Sequence, residues 1–235
     1  MTLVLLVRHG LTAATGKALA GRTPGVPLDD RGRLQAAAIG ARLAPVRLGA
    51  IVSSPIQRCA ETAAAIAEAQ AARGGPAAPG VRFEERLTEC GYGDWTGRPL
   101  RKLAREPMWR VVQSHPSAAR FPGPDGEAMA DMAHRAVAAI RDWNHELGPD
   151  ATYLVCSHGD VIKAILADAL GMHLDLFQRI SVDPCSLSVV RYTALRPFVE
   201  RLNDSGGTVA SLIHRDRQDV RAARTADAVI GGGPG

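Results

Sequence analysis

Residues 1–12 read MTLVLLVRHGLT. Thr2 to Val7 is an apolar run of the kind that forms a buried strand. Arg8, His9 and Gly10 follow without a spacer, where a strand leaving the core more often meets a polar turn of Asn, Asp, Gly or Pro. A cation and an imidazole at the end of a buried strand need partners, and those partners must come from elsewhere in the chain.

The surrounding pattern sets the fold class. Further short apolar runs rich in β-branched residues are AIVSS (50–54), VRFEE (81–85), TYLVCS (152–157), SLSVVRY (186–192) and FVERL (198–202). Long helical patterns alternate with them. The first, LDDRGRLQAAAIGARLA (28–44), has Asp29 or Asp30 as its cap and Leu34, Ala38, Ile39 and Leu43 as its expected apolar side. The second, PIQRCAETAAAIAEAQAA (55–72), places Pro55 in the first turn. The third, at 126–147, puts Glu127 in its first turn, and the fourth, DVIKAILADALG (160–171), does the same with Asp160. Strands alternating with helices predict crossover connections, hence a three-layer α/β/α fold with a mostly parallel sheet. The last two strands are joined by only a short link and predict an antiparallel edge hairpin. One domain over residues 1–204 is expected, followed by a disordered tail at 205–235, which is polar and ends GGGPG.

Composition narrows the function classes. The chain has 235 residues, 46% of them hydrophobic, and a net charge of +4 with no Lys/Arg-rich block. No nucleic-acid partner is expected. Cys59, Cys90, Cys156 and Cys185 form no CxxC pair and match no zinc spacing, so buried thiols in a reducing cytoplasm are expected, with no metal. The first apolar run is too short to span a membrane, so no membrane partner is expected. Oligomeric state is left open, a homodimer included.

In open α/β sheets, sites form at the carboxyl ends of strands. The first strand ends at Arg8-His9-Gly10, the second runs into SSPIQR (53–58), and a later one ends in CSHGD (156–160). Two histidines and two arginines thus reach one rim beside helix N-termini. This set suits a phosphoryl group: guanidinium forks grip its oxygens, one imidazole attacks phosphorus, and the other steadies the developing charge. Gly10 is expected to let the backbone approach the ligand. Glu89, in LTECGYGDWTG (87–97), is the candidate proton donor, with burial favouring its acid form and the arginines opposing it.

LVRHGLT (6–12), SSPIQRCAETA (53–63), LTECGYGDWTG (87–97) and SHGDVIKAIL (157–166) resemble, in order, the motifs of the histidine phosphatase superfamily, the phosphoglycerate-mutase-like clan. AGRTPGVPLDDRGRLQA (20–36) and EPMWRVVQSHPSAARFPG (106–123) resemble an actinobacterial branch labelled phosphomutase or phosphatase. The resemblance implies that His9 is phosphorylated, that Arg8, Arg58 and His158 complete the phosphate pocket, and that Glu89 donates the proton. It implies a backbone N–H contact from Gly159 and a phosphate contact from Thr15, which stands where many members have Asn. Leu11 replaces the glutamate that commonly follows the first motif. Tyr92 matches a substrate-contacting tyrosine of the mutases, and Arg98 is a candidate for the same work. The adjacent arginine pair of glycolytic mutases has no counterpart among Arg98, Arg101, Lys102, Arg105 and Arg110. Hydrolysis of a small phosphorylated metabolite without cofactor is therefore expected, with phosphomutase activity as the alternative and a non-catalytic phosphate-binding protein ranked below both.

Overall fold

A computed structural model describes residues 1–72 and 79–206. The expected disorder of the tail falls largely on residues outside these. In chain order the elements are β1 (Thr2–Arg8), α1 (Asp30–Leu43), β2 (Ala50–Ser53), α2 (Gln57–Ala71), β3 (Val81–Phe83), α3 (Leu100–Leu103), α4 (Pro107–Ser114), α5 (Met129–Leu147), β4 (Thr152–Ser157), α6 (Gly159–Ala169), β5 (Leu187–Tyr192) and β6 (Pro197–Asp204). Short 3₁₀ turns join several of them.

The described strands form one sheet in the order β3-β2-β4-β1-β5-β6. The β1–β4, β2–β4 and β2–β3 pairs are parallel, while β5 runs antiparallel to β1 and pairs with β6 as the expected edge hairpin. Alternating side chains feed two cores, as the pleat requires. Val4, Leu6, Val52, Tyr153 and Val155 face the layer that holds α5 and α6. Leu5, Val7, Ile51, Leu154 and Cys156 face α1 and α2.

Register brings the three motif-bearing strand ends to one level. Arg8 lies opposite Ser157 and Ser53 opposite Cys156. His9, Ser54 and His158, each the next residue along, therefore emerge on the same rim. All four cysteines are buried and free, as expected.

The structure corrects several local expectations. Asp29 caps α1 by accepting from the Gly32 N–H. Leu34 is 71% exposed and Ala38 is exposed, because the face turned inward is instead Gly32, Ala36, Ile39, Gly40 and Leu43. Two glycines on that face allow a close approach that larger residues would block. Pro55 lies outside α2, whose N-cap is Ile56. Glu127 precedes α5 rather than sitting in its first turn. Gly10 is required by the approach of α1, since a Cβ there would stand 2.6 Å from the Gly32 carbonyl oxygen. The reciprocal contact is tighter, since a Cβ on Gly32 would stand 2.0 Å from the Leu11 carbonyl oxygen.

This backbone-to-backbone contact seats the loop after β1 against the start of α1. Gly32→Ala is expected to cost about 1–3 kcal/mol, the usual range for overpacking, read as a lower urea midpoint at unchanged m-value. Because the seated loop leads into Thr12 and Thr15, kcat/KM should fall with it.

Candidate active site

A narrow cleft opens at the strand rim. Arg8, His9, Thr12, Thr15, Gly21, Arg58, Glu89, Tyr92 and Leu100 are among its lining residues. Its free space is about 30 Å³, room for a compact group, given that one water needs roughly 10–15 Å³ by the same measure.

His9 is fixed by its neighbours. Its Nδ1 lies 2.7 Å from the Gly10 carbonyl oxygen, which can only accept, so Nδ1 carries the proton. Nε2 then presents its lone pair, which accepts from Arg58 Nε at 3.1 Å. Burial, then Arg58 and Arg8, hold this imidazole well below its ordinary range. It is neutral at physiological pH.

Arg58, the second residue of α2, reaches further. Its Nη2 donates to the Gly21 carbonyl at 2.7 Å and to His158 Nδ1 at 3.1 Å. Its Nη1 is buried without a hydrogen-bond partner. Arg8 donates through Nη1 to the Val182 carbonyl at 2.7 Å. His158, the N-cap of α6, is fully buried and stands edge-on to His9 with ring centroids 5.3 Å apart. Because its Nδ1 accepts from Arg58, its Nε2 carries the proton and meets Ser54 Oγ at 2.9 Å. Burial, then Arg58 and His9, keep it neutral as well. Neither α2 nor α6 has a side-chain cap, which leaves the partial positive charge of both helix starts at this rim.

Glu89 is 3% exposed and accepts from the Cys90 N–H at 3.0 Å. Burial first and the Asp160 carboxylate second push its carboxyl up to about 7, against the opposing pull of Arg58. Its backbone is clamped: Arg22 Nε and Arg135 Nη2 both donate to the Glu89 carbonyl, at 2.7 and 3.1 Å. Glu127 binds both of these guanidiniums and accepts from the Gly91 N–H.

Arg8, His9, Thr15, Arg58, Glu89 and Tyr92 therefore meet in the cleft. His158 and Gly159 are not among the lining residues; His158 is joined to them through Arg58, and Gly159 follows it as the first residue of α6. Thr15 Oγ1 accepts from the Thr12 N–H at 3.0 Å, closing the loop after β1. Arg98 is placed apart from the lining and pairs with Glu106. The Tyr92 ring borders the cleft, but its hydroxyl donates to Asp160 Oδ2 at 2.7 Å. His115, His134, His145 and His173 are exposed, in keeping with a surface reading.

Residues 4–205 match the profile of the histidine phosphatase superfamily, branch 1. The chain belongs to that superfamily. It is thus an enzyme of phosphoryl chemistry. It is 29% identical over 214 residues to phosphoserine phosphatase 1 of Hydrogenobacter thermophilus, covering 86% of this chain and 92% of the relative. It is 30% identical over 194 residues to the probable phosphoglycerate mutase GpmB of Yersinia enterocolitica, covering 82% and 86%. Among solved structures, Bacillus stearothermophilus YhfR superposes with a TM-score of 0.71 at 26% identity, over 87% of this chain and 98% of that one. A mycobacterial glucosyl-3-phosphoglycerate phosphatase superposes at 0.75, over 86% and 98%; at 23% identity the likeness is one of fold.

Ser54, Glu127 and Asp160 are the site neighbours that sequence reasoning missed. Ser54 sat in a quoted motif, but nothing local marks its hydroxyl as a partner of His158. Glu127 and Asp160 were explained by helix-terminus electrostatics, which hid their tertiary bonds.

The Glu127 clamp makes a stated prediction. Glu127→Ala removes the acceptor shared by two partly buried guanidiniums and is expected to cost about 1–3 kcal/mol. By loosening Glu89 it should slow the single-turnover burst with an alkyl phosphate more than that with nitrophenyl phosphate, and Glu127→Gln should restore part of both. Urea titration and parallel kinetics on the two substrates check this.

Proposed function

We propose that this chain hydrolyses small phosphomonoesters through a phosphohistidine at His9. The observation that carries the reading is the fixed His9 tautomer: a neutral ring whose Nε2 lone pair faces the Arg58 guanidinium in a cleft that Arg8 also lines. A substrate phosphate competes for Arg58, drawing the guanidinium off Nε2 and giving the orphaned Nη1 an acceptor. Nε2 then attacks phosphorus in line as the P–O bond opposite breaks. Glu89, protonated at neutral pH, gives its proton to the leaving oxygen. Water next attacks the phosphohistidine, and the ionised Glu89 takes the proton from it.

His158 adapts to the change. With Arg58 on phosphate, its Nδ1 loses a donor. A proton delivered to Nδ1 by a monoanionic substrate phosphate, matched by loss of the Nε2 proton to solvent, leaves Nε2 to accept from the Ser54 hydroxyl and Nδ1–H to donate to an equatorial oxygen. Gly159, at the start of α6, adds helix N-terminal charge, and Thr15 keeps the loop after β1 closed beside it. The guanidiniums supply the charge that a metal supplies elsewhere and repel a divalent ion, so the step proceeds without metal or cofactor. The four free buried thiols support a reducing cytoplasm as its place of work.

Hydrolysis is favoured over transfer to a second hydroxyl because the extra groups that would hold a carboxylated acceptor are engaged: Arg98 with Glu106 and the Tyr92 hydroxyl with Asp160. The likeness to GpmB favours a mutase instead. A screen beginning with phosphoserine and the phosphoglycerates, with free phosphate and isomeric products both measured, separates the two.

Two results test the mechanism. Rapid quench with labelled substrate should trap an acid-labile phosphoryl group in the wild type and none in His9→Ala; equal trapping sinks the assignment. In Glu89→Gln, the single-turnover burst with an alkyl phosphate should slow by about 10²–10⁴-fold, the usual worth of a general acid. The burst with nitrophenyl phosphate should stay near wild type, because that group leaves unaided. Equal slowing on both substrates removes Glu89 from the acid role.

A further inference from the structure

The mechanism above uses neither of two buried charges behind the cleft, Asp160 and Lys163. Asp160 is fully buried in the first turn of α6, one turn before Lys163, which is 3% exposed. Burial of a carboxylate is costly unless bonded partners surround it. Asp160 Oδ2 accepts from the Tyr92 hydroxyl at 2.7 Å, and Oδ1 lies 4.0 Å from Lys163 Nζ. Lys163 Nζ also donates to Gln178 Oε1 at 3.0 Å. Tyr92 is itself wedged edge-on against Phe121, with centroids 4.8 Å apart, and its ring borders the cleft beside Glu89. A helix-capping role does not need a fully buried carboxylate tied across the fold to a tyrosine.

We propose that Asp160 is a positioning residue for Glu89: it anchors Tyr92 as a wall of the cleft and sets a fixed negative charge behind the Glu89 carboxyl. The inference rests on Glu89 acting as the acid. Asp160 bonds the tyrosine whose ring lines the cleft with Glu89, and a buried negative charge on that side disfavours ionisation of Glu89. The effect is visible in Glu89, where Asp160 is the largest influence after burial. The cations around the pair work the other way. Arg8 faces it from β1 and Arg58 from α2, while Lys163 faces Asp160 from α6. His9 and His158 are neutral, the Cys90 N–H donates to Glu89, and Arg22 and Arg135 bind its carbonyl. Asp183 acts on Arg8 and Lys163. Asp160 is thus the acidic counterweight that keeps the acid proton on Glu89 between two guanidiniums. The same bond gives Tyr92 a structural task in place of substrate contact through its hydroxyl.

The test is the pH dependence of the single-turnover burst with an alkyl phosphate, in the full chain. In the wild type the burst should fall as Glu89 ionises, with an alkaline limb near 7. Asp160→Asn keeps an acceptor for the Tyr92 hydroxyl and removes the charge. Its limb should move down by roughly one pH unit or more, a loss of about tenfold in burst rate at pH 8. Lys163→Met removes a cation that acts on Glu89 as well as on Asp160, so Glu89 should hold its proton to higher pH and the limb should move up. Nitrophenyl phosphate, which needs no acid, should show no movement in either variant. Opposite displacements are the expected result, and a merely structural role would move both limbs the same way or neither. Unmoved limbs, or parallel displacement, overturn the proposal. If Asp160→Asn does not fold, Asp160→Leu, which also removes the charge, takes its place, and a limb that stays at the wild-type position there overturns the proposal. Failure of the acid reading itself shows separately, as a Glu89→Gln burst with no leaving-group dependence.

Discussion

Both imidazoles of the cleft are held by one guanidinium. Arg58 donates to His9 Nε2 and to His158 Nδ1, with the Gly21 carbonyl as its third acceptor and Nη1 left without one. Arg58 sits buried beside two neutral rings, and its Nη1, without a partner among the described residues, is a deficit that an entering anion would meet. That deficit explains the size and polarity of the cleft. It also sets the protonation of the rings, since neither can gain a proton next to two guanidiniums. The sheet exists, in functional terms, to hold these groups in place against their mutual repulsion. Parallel pairing of β1, β2 and β4 does so by bringing their ends level.

Much of this was legible in the sequence, for a definite reason. Strand and helix periods, the abrupt Arg8-His9-Gly10 ending and the SSPIQR and CSHGD segments are local signals. Together with the rule that sites form at carboxyl strand ends, they imply the convergence of His9, Arg58 and His158 that the register then delivers. The edge hairpin followed from a short connection.

What the sequence hid was every role decided by a partner far along the chain. Leu34 has the hydrophobicity of a core residue, yet the inward face of α1 is chosen by how closely Gly32 and Gly40 let it approach the β1 loop and α2. Glu127 carries the sign expected of a helix start, but its carboxylate is spent on Arg22, Arg135 and the Gly91 N–H. Asp160 satisfies the same local rule while bonding to Tyr92, 68 residues away. Arg98 was grouped with the substrate because it is basic and near the acid motif; its guanidinium instead neutralises Glu106. A rule that explains a residue locally tends to end the search for its tertiary role.

The order of proton affinities in the cleft is the reverse of the ordinary one. In water an imidazole holds its proton to higher pH than a carboxyl group. Here burial and two arginines depress the imidazoles, while burial and a neighbouring carboxylate raise Glu89 to about 7. Burial alone acts in both directions at once, because it penalises whichever form is charged: the protonated ring and the ionised carboxyl. The arginines do not act so evenly. They favour a neutral ring but also favour an ionised Glu89, so unaided they would supply a nucleophile and remove the acid. A negative charge placed on the Glu89 side, away from His9, is what separates the two effects. Asp160 occupies that place, and the chemistry needs both halves: a free Nε2 lone pair and a carboxyl proton present at the same pH.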